Sequence, residues 1–135
     1  MTRILVAEDQ PALRAVLRLL LEDWGYQVDL VENGLEAVKK VQTAHYDLLL
    51  LDMNMPEMSG PEVARVVRQR PQYLPILAVS AWSALELQFE LGGLIDDFIT
   101  KPFDTGELRR KIAALTAKAE DGGQNSIKES VAVYG

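Results

Sequence analysis

Short apolar runs alternate along the chain with longer segments whose apolar residues recur every three or four positions. The runs cover 4–7, 27–31, 47–51, 76–79 and 97–100, and the longer segments cover 12–24, 34–43, 61–69, 83–91 and 105–117. Runs of this length are typical of strands, and the three-or-four spacing is typical of helices. Within 83–91 the apolar residues alternate instead, although we still predict a helix there. Five-fold alternation of strand and helix predicts an α/β fold with a doubly wound, five-stranded parallel sheet and helices on both faces.

The composition of the runs predicts which strands are central. The runs at 4–7, 48–51 and 76–79 are apolar throughout, as strands buried on both faces are. The run at 27–31, QVDLV, includes polar residues and is typical of an edge strand. We therefore expect the three apolar runs in the middle of the sheet.

Composition narrows the function classes only slightly. The chain has 135 residues, no cysteine, and a net charge of −6 from 14 basic and 20 acidic residues. This balance argues against direct nucleic-acid binding, and the absence of cysteine suits a reducing cytoplasm. We find neither a signal peptide nor a membrane-spanning run. We predict one domain over 1–118 and a flexible C-terminal tail over 119–135; the initiating Met and the tail favour a complete or N-terminal unit.

Polar residues follow four of the predicted strands. Glu8 and Asp9 follow the first, Asp52 the third, Ser80 the fourth and Lys101 the fifth. In open parallel sheets the carboxyl ends of strands form the ligand-binding edge, so these side chains should meet there. Each also has an ordinary explanation, because Asp9 and Ser80 could cap helices, Asp52 could be a loop acid and Lys101 a solvated lysine. Their shared position at strand ends favours a common site.

Three close carboxylates repel one another, and each raises the pKa of its neighbours. Lys101 offers one compensating charge, and a divalent cation would add two. Oxygen ligands without cysteine or histidine favour Mg²⁺ or a similar hard ion. Such a site suits phosphoryl transfer, in which a carboxylate can serve as the nucleophile.

The stretches VAED, LLLDMNMPEMSG, AVSA and DDFITKPF resemble the receiver domain of two-component response regulators, and the resemblance covers residues 3 to about 117. It implies a CheY-like, flavodoxin-like fold with strand order 2-1-3-4-5. It also implies phosphorelay signalling, in which Asp52 accepts a phosphoryl group from the phosphohistidine of a histidine kinase or phosphotransfer protein. The domain would then act as a switch with self-phosphorylation and self-dephosphorylation chemistry only.

The resemblance also implies roles for the other site residues. Asp9 and Asp52 would bind Mg²⁺ (or Mn²⁺) directly, Asn54 would bind it through its backbone carbonyl, and Glu8 through water. Ser80 and Lys101 would contact the phosphoryl group.

The resemblance further implies which residues form the conformational switch and which surface binds a partner. The Lys101–Pro102 bond would be cis, and Phe98 would be an aromatic switch residue that follows Ser80. The 83–91 helix, the 97–100 strand and the 105–117 helix would contact a downstream protein partner.

Several finer hypotheses concern residues around this core. Asn54 and Trp82 lie two positions beyond Asp52 and Ser80, and we predict that Trp82 shields the acyl phosphate from water; the alternative is a surface tryptophan. Phosphorylation-dependent dimerisation could pair acidic and basic side chains, although solvated surface charge is the favoured explanation for them. The residues concerned are Asp96, Asp97, Arg109, Arg110 and Lys111. The single histidine, His45, is predicted at the surface.

Two other function classes share this architecture. A phosphatase with an aspartyl nucleophile usually carries a D-x-D motif, but the second position here is Asn54. A flavin-binding electron carrier needs a phosphate-binding loop after the first strand, and EDQPALR is not one. The sequence also leaves open whether the chain is a receiver cut from a hybrid kinase or a larger regulator.

Overall fold

A computed structural model describes residues 1–120, apart from the side chains at 84, 85, 89, 90 and 118–120. Strands and helices alternate throughout these residues, which confirms the predicted α/β class. In chain order the elements are β1 (Arg3–Ala7), α1 (Pro11–Asp23), β2 (Gln27–Val31), α2 (Gly34–Thr43), β3 (Leu48–Asp52), α3 (Gly60–Arg68), β4 (Ile76–Ser80), α4 (Ala84–Leu91), β5 (Asp97–Thr100) and α5 (Thr105–Glu120).

The strands form one parallel sheet in the order β2-β1-β3-β4-β5. Leu50 of β3 pairs with Val6 of β1 on one side and with Leu77 of β4 on the other. The predicted order is thereby confirmed, with the three fully apolar runs at the centre and QVDLV at an edge. The chain passes from β1 outward to β2 on one side and from β3 outward to β4 and β5 on the other. The order therefore reverses between β1 and β3, which leaves a crevice at the carboxyl ends of these two strands.

The leucines that precede Asp52 are buried because helices cover both faces of β3. Leu48 and Leu50 pack in a core with α1 and α5, and Leu49 and Leu51 pack in a second core with α2, α3 and α4. All four are at most 1% exposed. A strand between two apolar layers needs apolar residues at every position, which explains the unbroken run.

Local capping determines where α3 and α4 begin. Ser59 and Ser83 each accept a hydrogen bond from the backbone of a glutamate three residues later, forming capping boxes with Glu62 and Glu86. The capping box explains why 83–91 is helical despite its alternating pattern. Leu87 and Leu91, one turn apart, are both buried.

Close backbone packing holds the loop between β3 and α3. The Gly60 N–H donates to the Met53 carbonyl at 3.2 Å, and a Cβ at position 60 would lie 2.7 Å from the Asp52 carbonyl oxygen. Only glycine permits this approach, so Gly60 positions the backbone that leaves Asp52.

The C-terminal helix α5 continues to Glu120, beyond the predicted end at 117. The predicted tail over 119–135 lies almost entirely outside the described residues, so the domain boundary stays a prediction. Among residues 1–120, no helix has the length and apolar character needed to cross a membrane.

Candidate functional site

The carboxyl ends of β1, β3 and β5 bring together the polar residues that the sequence singled out. One oxygen from each of Glu8, Asp9 and Asp52 lies within 4.8 Å of the other two. Asp52 ends β3, whereas Glu8 and Asp9 follow β1. The side chains of Glu8 and Asp52 are buried, and Asp9 is half-buried.

Lys101 extends from the end of β5 to two of these acids. Its Nζ lies 3.3 Å from Glu8 Oε1 and 3.5 Å from Asp52 Oδ2. The lysine side chain is only 23% exposed, so it is not the solvated lysine of the ordinary explanation. The Lys101–Pro102 bond is cis in the structure. One ammonium group among three carboxylates leaves the cluster short of positive charge.

Burial and the charge of Glu8 together raise the pKa of Asp52 to about 7. Burial is the largest cause, because it disfavours the charged carboxylate, and the neighbouring Glu8 raises the pKa further. A hydrogen bond from the Asn54 backbone N–H to Asp52 Oδ1, at 3.1 Å, and the charge of Lys101 lower it. Burial and repulsion together outweigh these two stabilising contacts.

The oxygen atoms of the cluster fit a hard divalent cation. Glu8 Oε2 accepts the backbone N–H of Gln10 at 3.0 Å, whereas the buried Oε1 accepts no hydrogen bond from the described residues. A buried carboxylate oxygen without such a bond costs free energy unless a charge compensates for it, and the nearby ammonium of Lys101 is shared with Asp52. Glu8, Asp9 and Asp52 could supply ligand oxygens, directly or through water.

Ser80 ends β4 beside the cluster and is 1% exposed. Its Oγ accepts the backbone N–H of Trp82 at 2.8 Å, which leaves the hydroxyl proton free to donate elsewhere. Ser80 is not the cap of α4, since Ser83 has that position, and Asp9 is not the cap of α1, since Gln10 has that one. Both capping interpretations are therefore wrong.

The sequence model of the response regulator receiver domain matches residues 4–113, which is most of the chain. The chain belongs to the response regulator receiver domain family. The resemblance, the fold and the phosphorelay function predicted from the motifs are thus confirmed.

Relatives of this receiver include the transcriptional regulatory protein ResD of Bacillus subtilis and the cell cycle transcriptional regulator CtrA of Caulobacter vibrioides. ResD is 41% identical over 121 residues, covering 87% of this chain and 49% of ResD. CtrA is 34% identical over 127 residues, covering 93% of this chain and 55% of CtrA. The chain therefore spans about half the length of the curated relatives it matches.

Two solved receivers are similar in structure. The Thermotoga maritima response regulator TrrA, in complex with Mg²⁺–BeF, gives a TM-score of 0.78 at 37% identity and covers 85% of this chain and 99% of its own. The receiver of the sensor histidine kinase PA1611 from Pseudomonas aeruginosa gives 0.79 at 32% identity, covering 86% and 98%. That structure has a magnesium ion coordinated in its active-site cleft.

In this receiver, Phe98 lies at the junction between the site and the predicted output surface. It is half-buried and, with Leu87, Leu91 and Ile95, lines a groove of about 270 Å³ between α4 and β5. The Lys111 ammonium lies 5.1 Å from the centre of the Phe98 ring and donates to the Phe98 carbonyl at 2.6 Å. This contact was not predictable from the sequence, because Lys111 is thirteen residues away on α5.

The acidic pair before Phe98 is bonded within the chain. Asp96 Oδ2 accepts from Arg68 at 2.7 Å, and Asp97 Oδ1 accepts from Lys111 at 3.2 Å. Arg109 lies over the Trp24 ring at 5.5 Å. Asp96, Arg109 and Arg110 are exposed, as the surface-charge interpretation predicts, and both acids also form intramolecular ion pairs that the sequence did not predict.

His45 lies at the surface, as predicted, with 79% of its side chain exposed and Nε2 3.2 Å from Asp47 Oδ1. Trp82 is half-buried and packs against the core that contains α4. Asn54 is exposed next to Asp52.

One residue beside the acids was overlooked. Arg14, on the second turn of α1, donates to the carbonyl oxygens of both Glu8 and Asp9. Its position five residues after Asp9, in the helix that follows the acid pair, could have indicated that its side chain lies near the two acids.

Proposed function

We propose that Asp52 of this receiver accepts a phosphoryl group from the phosphohistidine of a histidine kinase or a phosphotransfer protein. A carboxylate oxygen of Asp52 bonds to phosphorus while the phosphorus–nitrogen bond breaks, and the electron pair and a proton end on the departing imidazole. The observation that best supports this proposal is the position of the buried Asp52 carboxylate, which has a pKa of about 7 and lies next to Lys101 and two further acids.

Asp9 and Asp52 would hold Mg²⁺ or Mn²⁺ directly, Asn54 would hold it through its backbone carbonyl, and Glu8 through water. When bound, the cation supplies positive charge that keeps Asp52 ionised and offsets charge on the transferring group. Lys101, whose Nζ lies 3.5 Å from Asp52 Oδ2, supplies the remaining positive charge. The Asn54 N–H, already bonded to Asp52 Oδ1, orients the nucleophile.

After transfer, Ser80 and Lys101 would bond to the phosphoryl oxygens. The Ser80 hydroxyl has a proton available for this, and its bond with Trp82 couples it to the loop that leads to α4. The predicted switch residue Phe98 lies beside the groove between α4 and β5. We propose that α4, β5 and α5 contact the downstream protein partner, whose affinity then depends on the population of the phosphorylated conformation.

The decisive experiment incubates the protein with a small phosphodonor and Mg²⁺, and follows the intact mass. We expect one phosphoryl group per chain, lost slowly, and none on Asp52→Asn. Asp23→Asn, an exposed acid on α1, is the matched control and should be labelled normally. Rapid multiple turnover of the donor without a stable label would instead support the phosphatase alternative, and labelling of Asp52→Asn would refute the assignment of Asp52.

We further propose that Trp82, with Asn54, limits water attack on the acyl phosphate. Its partial burial and its backbone bond to Ser80 keep it beside the site. The phosphorylated Trp82→Ala variant should decay faster than the unsubstituted protein. An unchanged decay rate would contradict the shielding role.

The remaining proposals concern the partner, the location and the oligomeric state of this chain. Transcriptional regulation is a property of ResD and CtrA as whole proteins, and for this chain we propose a protein partner, a cytoplasmic location and no direct contact with nucleic acid.

Phosphorylation-dependent dimerisation also stays a proposal. It would require Asp97 to exchange its bond with Lys111 for a bond across the dimer. An unchanged mass in sedimentation after phosphorylation would exclude it as the output.

A further inference from the structure

Arg14 of α1 bonds to the backbone of both acids that follow β1. Its Nη1 donates to the Glu8 carbonyl oxygen at 2.8 Å and to the Asp9 carbonyl oxygen at 3.2 Å. Its Nη2 lies 3.6 Å from Glu32 Oε2, in the loop between β2 and α2. The side chain of Arg14 is only 18% exposed, whereas that of Glu32 is 64% exposed, so the bonds to the two carbonyls are the better shielded contacts.

The segment held by Arg14 has few other restraints. Gln10, the N-cap residue of α1, makes no side-chain capping bond, whereas the N-cap residues of α2, α3 and α4 each do. The Glu8 N–H donates to the Val31 carbonyl at 3.1 Å, and the Glu8 carboxylate accepts the N–H of Gln10. Among the described contacts, only Arg14 bonds to the carbonyls of both acids, and it ties them to the helix that follows.

We propose that Arg14 is a positioning residue that sets the separation and orientation of the Glu8 and Asp9 carboxylates for the cation. This inference rests on the cation site of the proposed function. A guanidinium group can bind two adjacent carbonyls at once because its N–H groups form a rigid planar fork, whereas a lysine ammonium is a single point donor. Partners behind metal ligands commonly change metal affinity by about 10- to 100-fold.

Charge and positioning predict opposite effects of removing Arg14. By charge alone, a cation near the site repels Mg²⁺, so its removal should strengthen Mg²⁺ binding. If Arg14 positions the acids, its removal should weaken binding despite the loss of repulsion. The sign of the change in the Mg²⁺ dissociation constant therefore separates the two.

The test is calorimetric titration of Mg²⁺ into metal-free protein, with no phosphodonor, at a temperature where every variant is fully folded. Arg14→Met keeps an apolar stem and removes both the charge and the donors. Arg14→Lys keeps the charge but not the fork. Arg18→Met is the matched control, because Arg18 is exposed one turn further along the same helix and makes no hydrogen bond or ion pair with the described residues.

We expect Arg14→Met to weaken Mg²⁺ binding by about tenfold. Arg14→Lys should fall between it and the unsubstituted protein, and Arg18→Met should bind as the unsubstituted protein does or slightly more tightly. Equal or tighter binding by Arg14→Met would overturn the inference, as would a loss of thermal stability without a change in affinity. If Arg14→Met does not fold, full affinity in Arg14→Lys overturns it instead.

The same titration distinguishes this inference from the proposed function. Mg²⁺ binding by the unsubstituted protein with no effect of Arg14→Met would overturn only the role of Arg14. No Mg²⁺ binding by the unsubstituted protein would overturn the proposed cation site and the role of Arg14 with it.

Discussion

Two buried or half-buried aspartates, Asp52 and Asp29, occupy clusters in different parts of the same sheet, and their pKa values move in opposite directions. Asp29 Oδ2 accepts from the Tyr46 hydroxyl at 2.6 Å and from Arg3 at 2.8 Å. The Tyr46 hydrogen bond, followed by Arg3, holds the pKa of Asp29 below its usual value despite burial. At the carboxyl ends of the strands, burial raises the pKa of Asp52 to about 7.

The difference lies in the partners. Asp29 has a phenol and a guanidinium group, and Arg3 also packs on the Tyr46 ring at 4.9 Å. Asp52 has one backbone N–H and a lysine that it shares with Glu8. In the first cluster, hydrogen-bond donors and a positive charge of the protein itself compensate the Asp29 carboxylate, as in a structural ion pair. The second is short of positive charge, as the proposed cation site and nucleophile require.

Replacing Asp52 with asparagine should produce the largest effect on stability. The folded pKa of about 7 exceeds the ordinary 3.8, so the folded protein binds more protons than the unfolded chain between these values, and stability falls as pH rises from about 4 to about 7. Asp52→Asn removes this cost. In denaturant titrations with a chelator, its free energy of unfolding should exceed that of the unsubstituted protein by several kcal/mol at pH 8 and by less than half as much at pH 5. A gain that does not grow with pH would show that charge is not the cause.

Addition of Mg²⁺ should stabilise the protein only through the cluster of Glu8, Asp9 and Asp52. A ligand at 100 times its dissociation constant stabilises the folded state by about 2.7 kcal/mol, which thermal or chemical denaturation at neutral pH would detect. Asp52→Asn should lose most of this gain, and Asp29→Asn should keep it. An equal gain in both variants would mean that Mg²⁺ binds elsewhere.

Removing the Tyr46 hydroxyl should weaken the cluster around Asp29 by a smaller amount. Tyr46→Phe loses a hydrogen bond to a charged acceptor but keeps the ring and Arg3, so we expect a loss of about 1 to 2 kcal/mol at pH 7. Because the folded pKa of Asp29 is lowered, its charge-dependent stability exists above the unfolded pKa and disappears as pH falls through the folded pKa. The loss should therefore shrink in strongly acidic solution. The stabilisation by Mg²⁺ should be unchanged, and a reduced Mg²⁺ response would show that the clusters are coupled.

The smallest effect is expected from His45, whose side chain is 79% exposed beside Asp47. Exposed ion pairs contribute little, so His45→Ala should change the free energy of unfolding by less than about 0.5 kcal/mol between pH 5 and pH 8. The backbone N–H of Arg3 donates to Asp47 Oδ2 at 2.8 Å, so a larger change in denaturant titrations would show that the His45–Asp47 pair is coupled to the contacts of Arg3 with Asp29 and Tyr46.

Much of the site was predictable because strand ends in a parallel sheet meet at one edge. The apolar runs located the strands, and the residues that follow them located Glu8, Asp9, Asp52, Ser80 and Lys101. The contacts of Arg14 and Lys111 were not predictable, since a long flexible side chain can reach many acceptors and its choice depends on packing. The ion-pair partners of Asp96 and Asp97 were not predictable for the same reason, because they come from α3 and α5.

The sequence by itself determined the alternation of strands and helices, the central position of the LLLL strand and the family, because these depend on local periodicity and on short motifs. Only the tertiary structure decided that Asp29 is satisfied and Asp52 is not. Both are aspartates on strands, and their difference arises from burial and from partners 17 or more residues away in the chain. Desolvation and charge act through distances in space, and only the folded chain has those distances.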